Sequence, residues 1–131
     1  MRITKLTDYG ILLLCELKQD VVLSSKQLNL KTRVPLATIN KVMRLLISSN
    51  ICASKEGKNG GFYIVKPLSQ ISILDVISSI EGIYDGLTDC TDSNNNPCIL
   101  AGSCKITNRM KAIDNQIYDL LKNKFISELI S

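Results

Sequence analysis

Residues 35–61 read P-L-A-T-I-N-K-V-M-R-L-L-I-S-S-N-I-C-A-S-K-E-G-K-N-G-G. A proline at the head of an apolar-periodic run suits the first residue of a helix, where its missing N–H would find no partner anyway. From there Leu36, Ile39, Met43 and Leu46 step by three and four and form an inner stripe. Ala37, Thr38, Lys41, Arg44 and Ser48 fall on the opposite face. The helix is expected to run to about Ser49, with Asn50 as its stop. Two strand-like runs follow, 51–55 and 62–65, joined by E-G-K-N-G-G. Lys58-Asn59-Gly60-Gly61 is turn chemistry, because Asn and Gly accept positive φ.

The residues just upstream turn this helix and hairpin into a motif. Ser24 and Ser25 precede a segment, 26–31, that fits one or two helical turns, and Thr32-Arg33-Val34 makes a tight connection to Pro35. A short helix, a turn and a longer helix with a small, polar and basic outer face form the helix-turn-helix layout. A basic hairpin directly after it is a wing. Taken singly, the helix could be a solvated amphipathic helix and the hairpin a plain surface turn; their order favours the winged helix. The expected fold is therefore mainly α: a winged helix-turn-helix with a small β-hairpin wing and a long C-terminal dimerisation helix. Exposed residues near the start of the second helix would read base edges, and lysines and arginines would hold phosphates. The candidate DNA-binding residues are Arg33, Thr38, Asn40, Lys41, Arg44, Lys55, Lys58 and Asn59.

The charge distribution agrees. Residues 1–66 carry eleven Lys/Arg against four Asp/Glu, and residues 67–131 carry five against eight. The basic half is the candidate nucleic-acid face. There is no histidine, which removes His-dependent acid–base chemistry, His-assisted nucleophiles and His metal ligands. No acid–base pair or activated nucleophile stands out, so an enzyme is not expected.

On the N-terminal side, residues 4–18 read as a helix with Leu6, Tyr9, Leu13 and Leu17 on one face. Thr4 or Thr7 is placed to cap its start, and Asp8 lies in its first turns, where the dipole favours an acid. Cys15 lies among leucines and reads as a small buried hydrophobe. Downstream of the wing, Ser72 and Asp75 fit a capping box. Ile73, Val76, Ile77 and Ile80 form that helix's stripe, and Gly82 ends it.

The run C-T-D-S-N-N-N-P-C-I-L-A-G-S-C spans Cys90 to Cys104, so three of the five cysteines fall in one Asn-, Pro- and Gly-containing loop. A loop without a core of its own needs something to fold around, and three converging thiolates on a metal would supply it. The C-x7-C-x5-C spacing is neither a zinc ribbon with paired C-x2-C knuckles nor a bacterial ferredoxin run. It suggests an iron–sulfur cluster whose last ligand comes from elsewhere. The alternative is a loop that merely holds three thiols, or a disulfide plus a spare.

After the loop, Ile106, Met110, Ile113, Ile117 and Leu120 or Leu121 step four, three, four, three. That narrow seam, bordered by residues such as Arg109, Asp114 and Asp119, suits a partner helix, and a second subunit matches a two-fold operator. The segment 125–130 is expected as a short helix folding back. The longest purely apolar run, Ile11 to Cys15, is far too short to span a membrane. With no secretory apolar region in view, a cytoplasmic location is expected, and cysteines there serve more often as ligands or sensors than as disulfides.

These pieces together resemble the IscR/NsrR-type winged-helix regulators of bacteria, the Rrf-two family, and within it the regulators of SUF-type iron–sulfur cluster assembly. The resemblance is carried by the opening M-R-I-T-K-L-T-D-Y-G, the P-L-A-T-I-N-K-V-M-R-L-L helix and the turn G-K-N-G-G-F. The I-S-I-L-D-V-I-S-S-I-E-G helix and the three cysteines complete it, across essentially the whole chain. It implies a homodimer on double-stranded operator DNA, away from any membrane, with a cluster on Cys90, Cys98 and Cys104. A 2Fe–2S cluster is implied in preference to 4Fe–4S.

Two departures stand out. Family wings usually carry Arg before the first turn Gly, where this chain has Glu56, so wing contacts rest on Lys55, Lys58 and Asn59. Some members use a His shortly after the third cysteine, and here that region reads Lys105-Ile106-Thr107. In nitric-oxide-sensing members an N-terminal aspartate of the partner subunit serves instead, and Asp8 matches that position.

The expected organisation is 1–82 for the DNA-binding unit, 83–105 for the cluster-binding loop and 106–131 for the dimerisation helix and C-terminal segment. The expected function is a transcription regulator whose operator affinity is controlled by the cluster, acting on iron–sulfur assembly or stress genes. The main competitor is a cluster-free DNA-binding regulator whose cysteines sense oxidation or dock a partner. An electron carrier or cluster-transfer protein fits less well, since neither role needs a basic half or a wing.

Overall fold

Pro35 does not enter the helix it heads. In the computed structural model, which describes residues 3–82 and 105–130, it is the N-cap at φ −58° and ψ 144°. Its carbonyl accepts the first helical bond, from Ile39 N–H at 2.9 Å, which is an N-cap's role. Arg33, at φ 63°, supplies the left-handed residue that reverses the chain just before it.

In chain order the elements are α1 (Lys5–Glu16), α2 (Ser25–Thr32), α3 (Leu36–Ser48), β1 (Cys52–Lys55) and β2 (Gly61–Ile64). A 3-10 turn at Leu68–Gln70, α4 (Ile73–Glu81), α5 (Thr107–Lys122) and a last 3-10 turn at Ile126–Leu129 complete them. The mainly α winged-helix architecture is as expected. The cysteine loop, with Cys90, Cys98 and Cys104, lies outside the described residues. Among the described residues no helix is long and apolar enough to cross a membrane.

The buried face of α3 is Ile39, Val42, Met43 and Leu46. Leu36 was expected in that stripe but is 42% exposed. The stripe begins one turn later because Val42 pairs with Leu46 as Ile39 pairs with Met43, each four residues apart on one face. Leu13, Leu14 and Leu17 from α1, Leu28 from α2 and Val34 close over it, with Ile51, Cys52 and Ile64 from the hairpin and Ile71 and Val76 beyond it. Each fully buried Leu or Ile contributes about 1.5–3 kcal/mol of transfer free energy.

The hairpin is antiparallel, with Cys52 opposite Ile64 and Lys55 opposite Gly61. Its positive φ angles fall on Gly57 (109°) and Gly61 (157°), and not on Asn59. Gly60 N–H closes the turn on Gly57 O at 3.0 Å. On its other edge β2 bridges Leu23: Leu23 N–H to Phe62 O is 3.0 Å and Phe62 N–H to Leu23 O is 2.7 Å. The approach is close enough that a Cβ on Gly61 would sit 2.3 Å from the Leu23 carbonyl oxygen.

The Ser72 capping box is present: Asp75 N–H donates to Ser72 Oγ at 3.0 Å and Ser72 N–H to Asp75 Oδ2 at 2.9 Å. Gly82 terminates α4 at φ 100°. Within α4 the buried residues are Leu74, Val76 and Ile77, while Ile73 and Ile80 are half-buried at its margins. At Gly10 the lack of a side chain lets α1 meet α4, since a Cβ there would be 2.5 Å from Ile80 Cδ1.

Along α5, Ile106, Ile113 and Leu120 are 56%, 45% and 60% exposed, while Asp114 is only 7% exposed. The polar border drawn around the apolar seam therefore fails at Asp114, which faces the protein. Past α5 the chain folds back as expected. Ile73 N–H donates to Lys124 O at 2.8 Å, Ile126 N–H to Ile71 O at 2.9 Å, and Ile126 is wholly buried in the core.

Candidate nucleic-acid interface

The start of α2 is the hub that brings α3 and the wing together. Ser24 caps α2 in a box with Gln27: Gln27 N–H donates to Ser24 Oγ at 3.2 Å and Ser24 N–H to Gln27 Oε1 at 2.8 Å. The S-x-x-Q spacing that announces this box was visible in the sequence and was missed. Next to it, the Ser25 hydroxyl donates to Asn40 Oδ1 on α3 at 2.8 Å. On the other side, Ser24 and Ser25 line a cleft of about 350 Å³ with Lys55, Glu56, Gly60 and Phe62 of the wing. At its far end α2 is closed on α3 by Asn29 Nδ2, which donates to Val34 O at 2.8 Å.

This frame leaves Ala37, Asn40, Lys41, Arg44 and Ser48 exposed on α3, with Thr38 half-buried, and Arg33 exposed at the turn. Lys55, Lys58 and Asn59 are exposed on the wing, with Glu56 among them. Among the described residues none of Arg33, Lys41, Arg44, Lys55 and Lys58 forms an ion pair. Their charges remain free to neutralise phosphates, which is the main source of affinity for DNA. Lys5, by contrast, lies over the Tyr9 ring at 5.3 Å.

Asp8 is exposed in the first turn of α1. Neither Thr4 nor Thr7 caps that helix in the expected way. Thr4 occupies the N-cap position with no side-chain cap bond. Instead Glu81, the last residue of α4, brings its Oε1 to the site. It accepts from Thr4 N–H at 3.3 Å, from Thr7 Oγ1 at 2.8 Å, and from the Thr4 hydroxyl. A carboxylate thus meets the positive end of α1, and the point where the cysteine loop departs is pinned to the helix that carries Asp8. No sequence pattern marked Glu81, because its partners are 74 and 77 residues away.

The donor set suits an iron–sulfur cluster by its chemistry. Cys52 is 2% exposed, and burial pushes its thiol up to about 12. Cys15 is also held above its ordinary value, by burial and then by Glu16. Neither is poised as a thiolate, and the other three cysteines, Cys90, Cys98 and Cys104, are of the residue type such clusters take. Among the described residues no group of three Cys, Asp or Glu converges as a metal site.

Comparison with known proteins completes the picture. Residues 3–131 match the Rrf2 family, described as an iron-dependent transcriptional regulator. The HTH-type transcriptional regulator NsrR of Oceanobacillus iheyensis is 26% identical over 133 residues, spanning 99% of this chain and 90% of its own. Among solved structures, CymR (YrzC), the global cysteine regulator of B. subtilis, superposes with a TM-score of 0.77 at 16% identity, over 99% of this chain and 96% of its own. T. potens IscR superposes with a TM-score of 0.71 at 13% identity, over 99% and 86%. At those identities the two structures speak for the fold, while the family match covers nearly every residue. This chain is therefore a member of the Rrf2 family, a transcriptional regulator and not an enzyme.

Proposed function

We propose that the protein is a homodimer that sets α3 in the major groove of operator DNA, lays its wing along the backbone, and grips more or less tightly according to an iron–sulfur cluster. The observation that carries this reading is the exposed, unpaired basic face of α3, tied through Ser24 and Ser25 to a basic wing. Residues 1–82 form the DNA-binding unit, 83–105 the cluster loop and 106–131 the dimerisation helix, with the final segment returning to the core of the first unit. Lys41, Arg44, Lys55, Lys58 and Arg33 hold phosphates; Thr38, Asn40 and Asn59 face bases or sugars. Cys90, Cys98 and Cys104 hold the cluster, 2Fe–2S in preference to 4Fe–4S, and Asp8 completes its ligands. The cluster supplies a cross-link among distant side chains. The Glu81 contact to Thr4 and Thr7 supports a direct path from that cross-link to α1. A coupling of about 1–3 kcal/mol along it would change operator affinity roughly 5–150-fold. The regulated genes are those of iron–sulfur assembly or stress, in the cytoplasm.

Two experiments test this. Lys41→Ala and Arg44→Ala should each weaken binding to DNA selected from a random library, and each should flatten the salt dependence by about one counterion. Parental affinity and slope in both variants would remove α3 from the interface. For the cluster, Cys98→Ala reconstituted anaerobically should retain no visible chromophore, iron or sulfide. Asp8→Ala should retain a chromophore with an altered spectrum and a shorter lifetime in air. An unaltered Asp8→Ala spectrum and lifetime would take Asp8 out of the ligand set.

A further inference from the structure

We infer that Glu56 is a specificity-determining residue of the wing: its free carboxylate, set between two lysines, holds down the preference for A·T-rich flanks that the lysines alone would impose. The inference rests on the reading of the wing as a DNA contact.

The wing is fixed to the rest of the chain at its base. Leu23 is bonded through both its N–H and its C=O to Phe62, and Gly61 permits that approach because a Cβ there would collide with the Leu23 carbonyl. Lys55, the last residue of β1, stands opposite Gly61. The turn that follows is closed by Gly60 N–H on Gly57 O at 3.0 Å, which leaves Lys58 and Asn59 at the tip. Glu56 precedes that turn and lines the cleft shared with Ser24 and Ser25. Lys55, Glu56 and Lys58 are all exposed. Among the described residues the Glu56 carboxylate has no ion pair and accepts no hydrogen bond. Neither lysine neutralises it, so its charge is presented to solvent beside theirs.

A wing laid along the backbone beside α3 borders a minor groove, because each sugar-phosphate strand separates a major groove from a minor one. That groove is not uniform. It narrows in A-tracts, where its negative potential is enhanced and draws in lysine and arginine. The energy of a charge is its size times the local potential, so one charge on the wing counts differently on different flanks. Lys55 and Lys58 favour the narrow, most negative flanks. Glu56 is disfavoured most on those same flanks and cancels part of that preference. With two positive charges and one negative among residues 55–58, the wing keeps a net attraction to phosphates and gives up part of its discrimination by groove width. Recognition therefore depends less on the shape of the flanks.

The test uses the full-length protein reconstituted anaerobically. Duplexes share one core, the site that the parent selects from a random library, and carry randomised flanks on both sides. Relative affinities for A-tract and mixed-sequence flanks are read by sequencing the bound fraction for the parent, Glu56→Gln, Glu56→Asp and Lys58→Gln. Glu56→Gln should raise the A-tract preference by about 2- to 5-fold, the strength of one exposed charge interaction. The gain should shrink as salt is raised, since screening shortens the reach of the charge. Glu56→Asp, which keeps the charge, should match the parent, and Lys58→Gln should lower the A-tract preference. If Lys58→Gln weakens binding while Glu56→Gln leaves the flank preference unchanged, the inference is overturned and the wing reading stands. If Glu56→Gln gains equally on every flank, the carboxylate acts on phosphate charge alone and the inference is again overturned. If Lys55→Gln and Lys58→Gln both keep the parent's affinity and salt slope, the failure lies in the placement of the wing itself, and the inference falls with it.

Discussion

Replacing Ile113 by aspartate is expected to convert the proposed dimer to monomers and to cut operator affinity by about 10²–10⁴-fold, the advantage a second linked half-site confers. The expectation comes from α5. Ile106 at its N-cap and Ile113 and Leu120 within it are spaced by seven residues and are 56%, 45% and 60% exposed. One residue further on, Asp114 is only 7% exposed and shares its side of the helix with half-buried Met110, Ile117 and Leu121, so that side meets its own chain while Ile113 and Leu120 form an apolar line outward. A carboxylate placed in that line would have to lose its hydration without a partner whenever two such helices met. Light scattering and a DNA titration on the same preparation read both consequences. A variant that remains dimeric would move the interface away from this seam.

Ile126→Ala should lower the stability of the fold by about 2–5 kcal/mol, the usual range for truncating a fully buried isoleucine. Each kcal/mol corresponds to a fall in melting temperature of about 2–8 °C in domains of this general size. The residue lies five positions from the last one and far in sequence from the helix-turn-helix. It is nevertheless fully buried in the same cluster as Leu13, Met43 and Leu46. Its backbone is stitched in as well, through Ile126 N–H to Ile71 O at 2.9 Å. Thermal and denaturant melts of the variant are the measurement. A melt equal to that of the parent would mean that this segment only rests against the core.

What the sequence made legible was local. Helices α1, α3, α4 and α5 could be placed from their apolar spacing, α2 from its length between two connections, the Ser72 box and Gly82 from their own chemistry, and the hairpin from its glycines. Pro35 was misplaced by one residue because N-cap and first-turn positions both suit its fixed φ. Leu36 was misjudged because a stripe read by threes and fours can be extended by a turn at either end. Among the residues of the turn, positive φ falls on Gly61 and, one residue before Lys58-Asn59-Gly60-Gly61, on Gly57, since turn composition does not say which of several permissive residues bends. The exposed residues of α3 and the wing were legible as a face, because burial follows helical and strand period. Glu81 at Thr4 and Thr7, and Ser25 at Asn40, were not. Hydrogen bonds between elements obey no period and appear only when the fold closes the distance.

Cys52 stands apart from the regulatory chemistry, and that gives it a use. Its thiol is 2% exposed and pushed up to about 12 by burial, so at neutral pH it stays the unreactive thiol. An alkylating reagent leaves such a sulfur unmarked for as long as β1 stays packed on α3. Each opening of that packing exposes it to irreversible tagging. The fraction of molecules tagged at Cys52 therefore grows at the rate at which the core opens, and comparing that rate with and without operator DNA measures how firmly the bound state holds the fold shut.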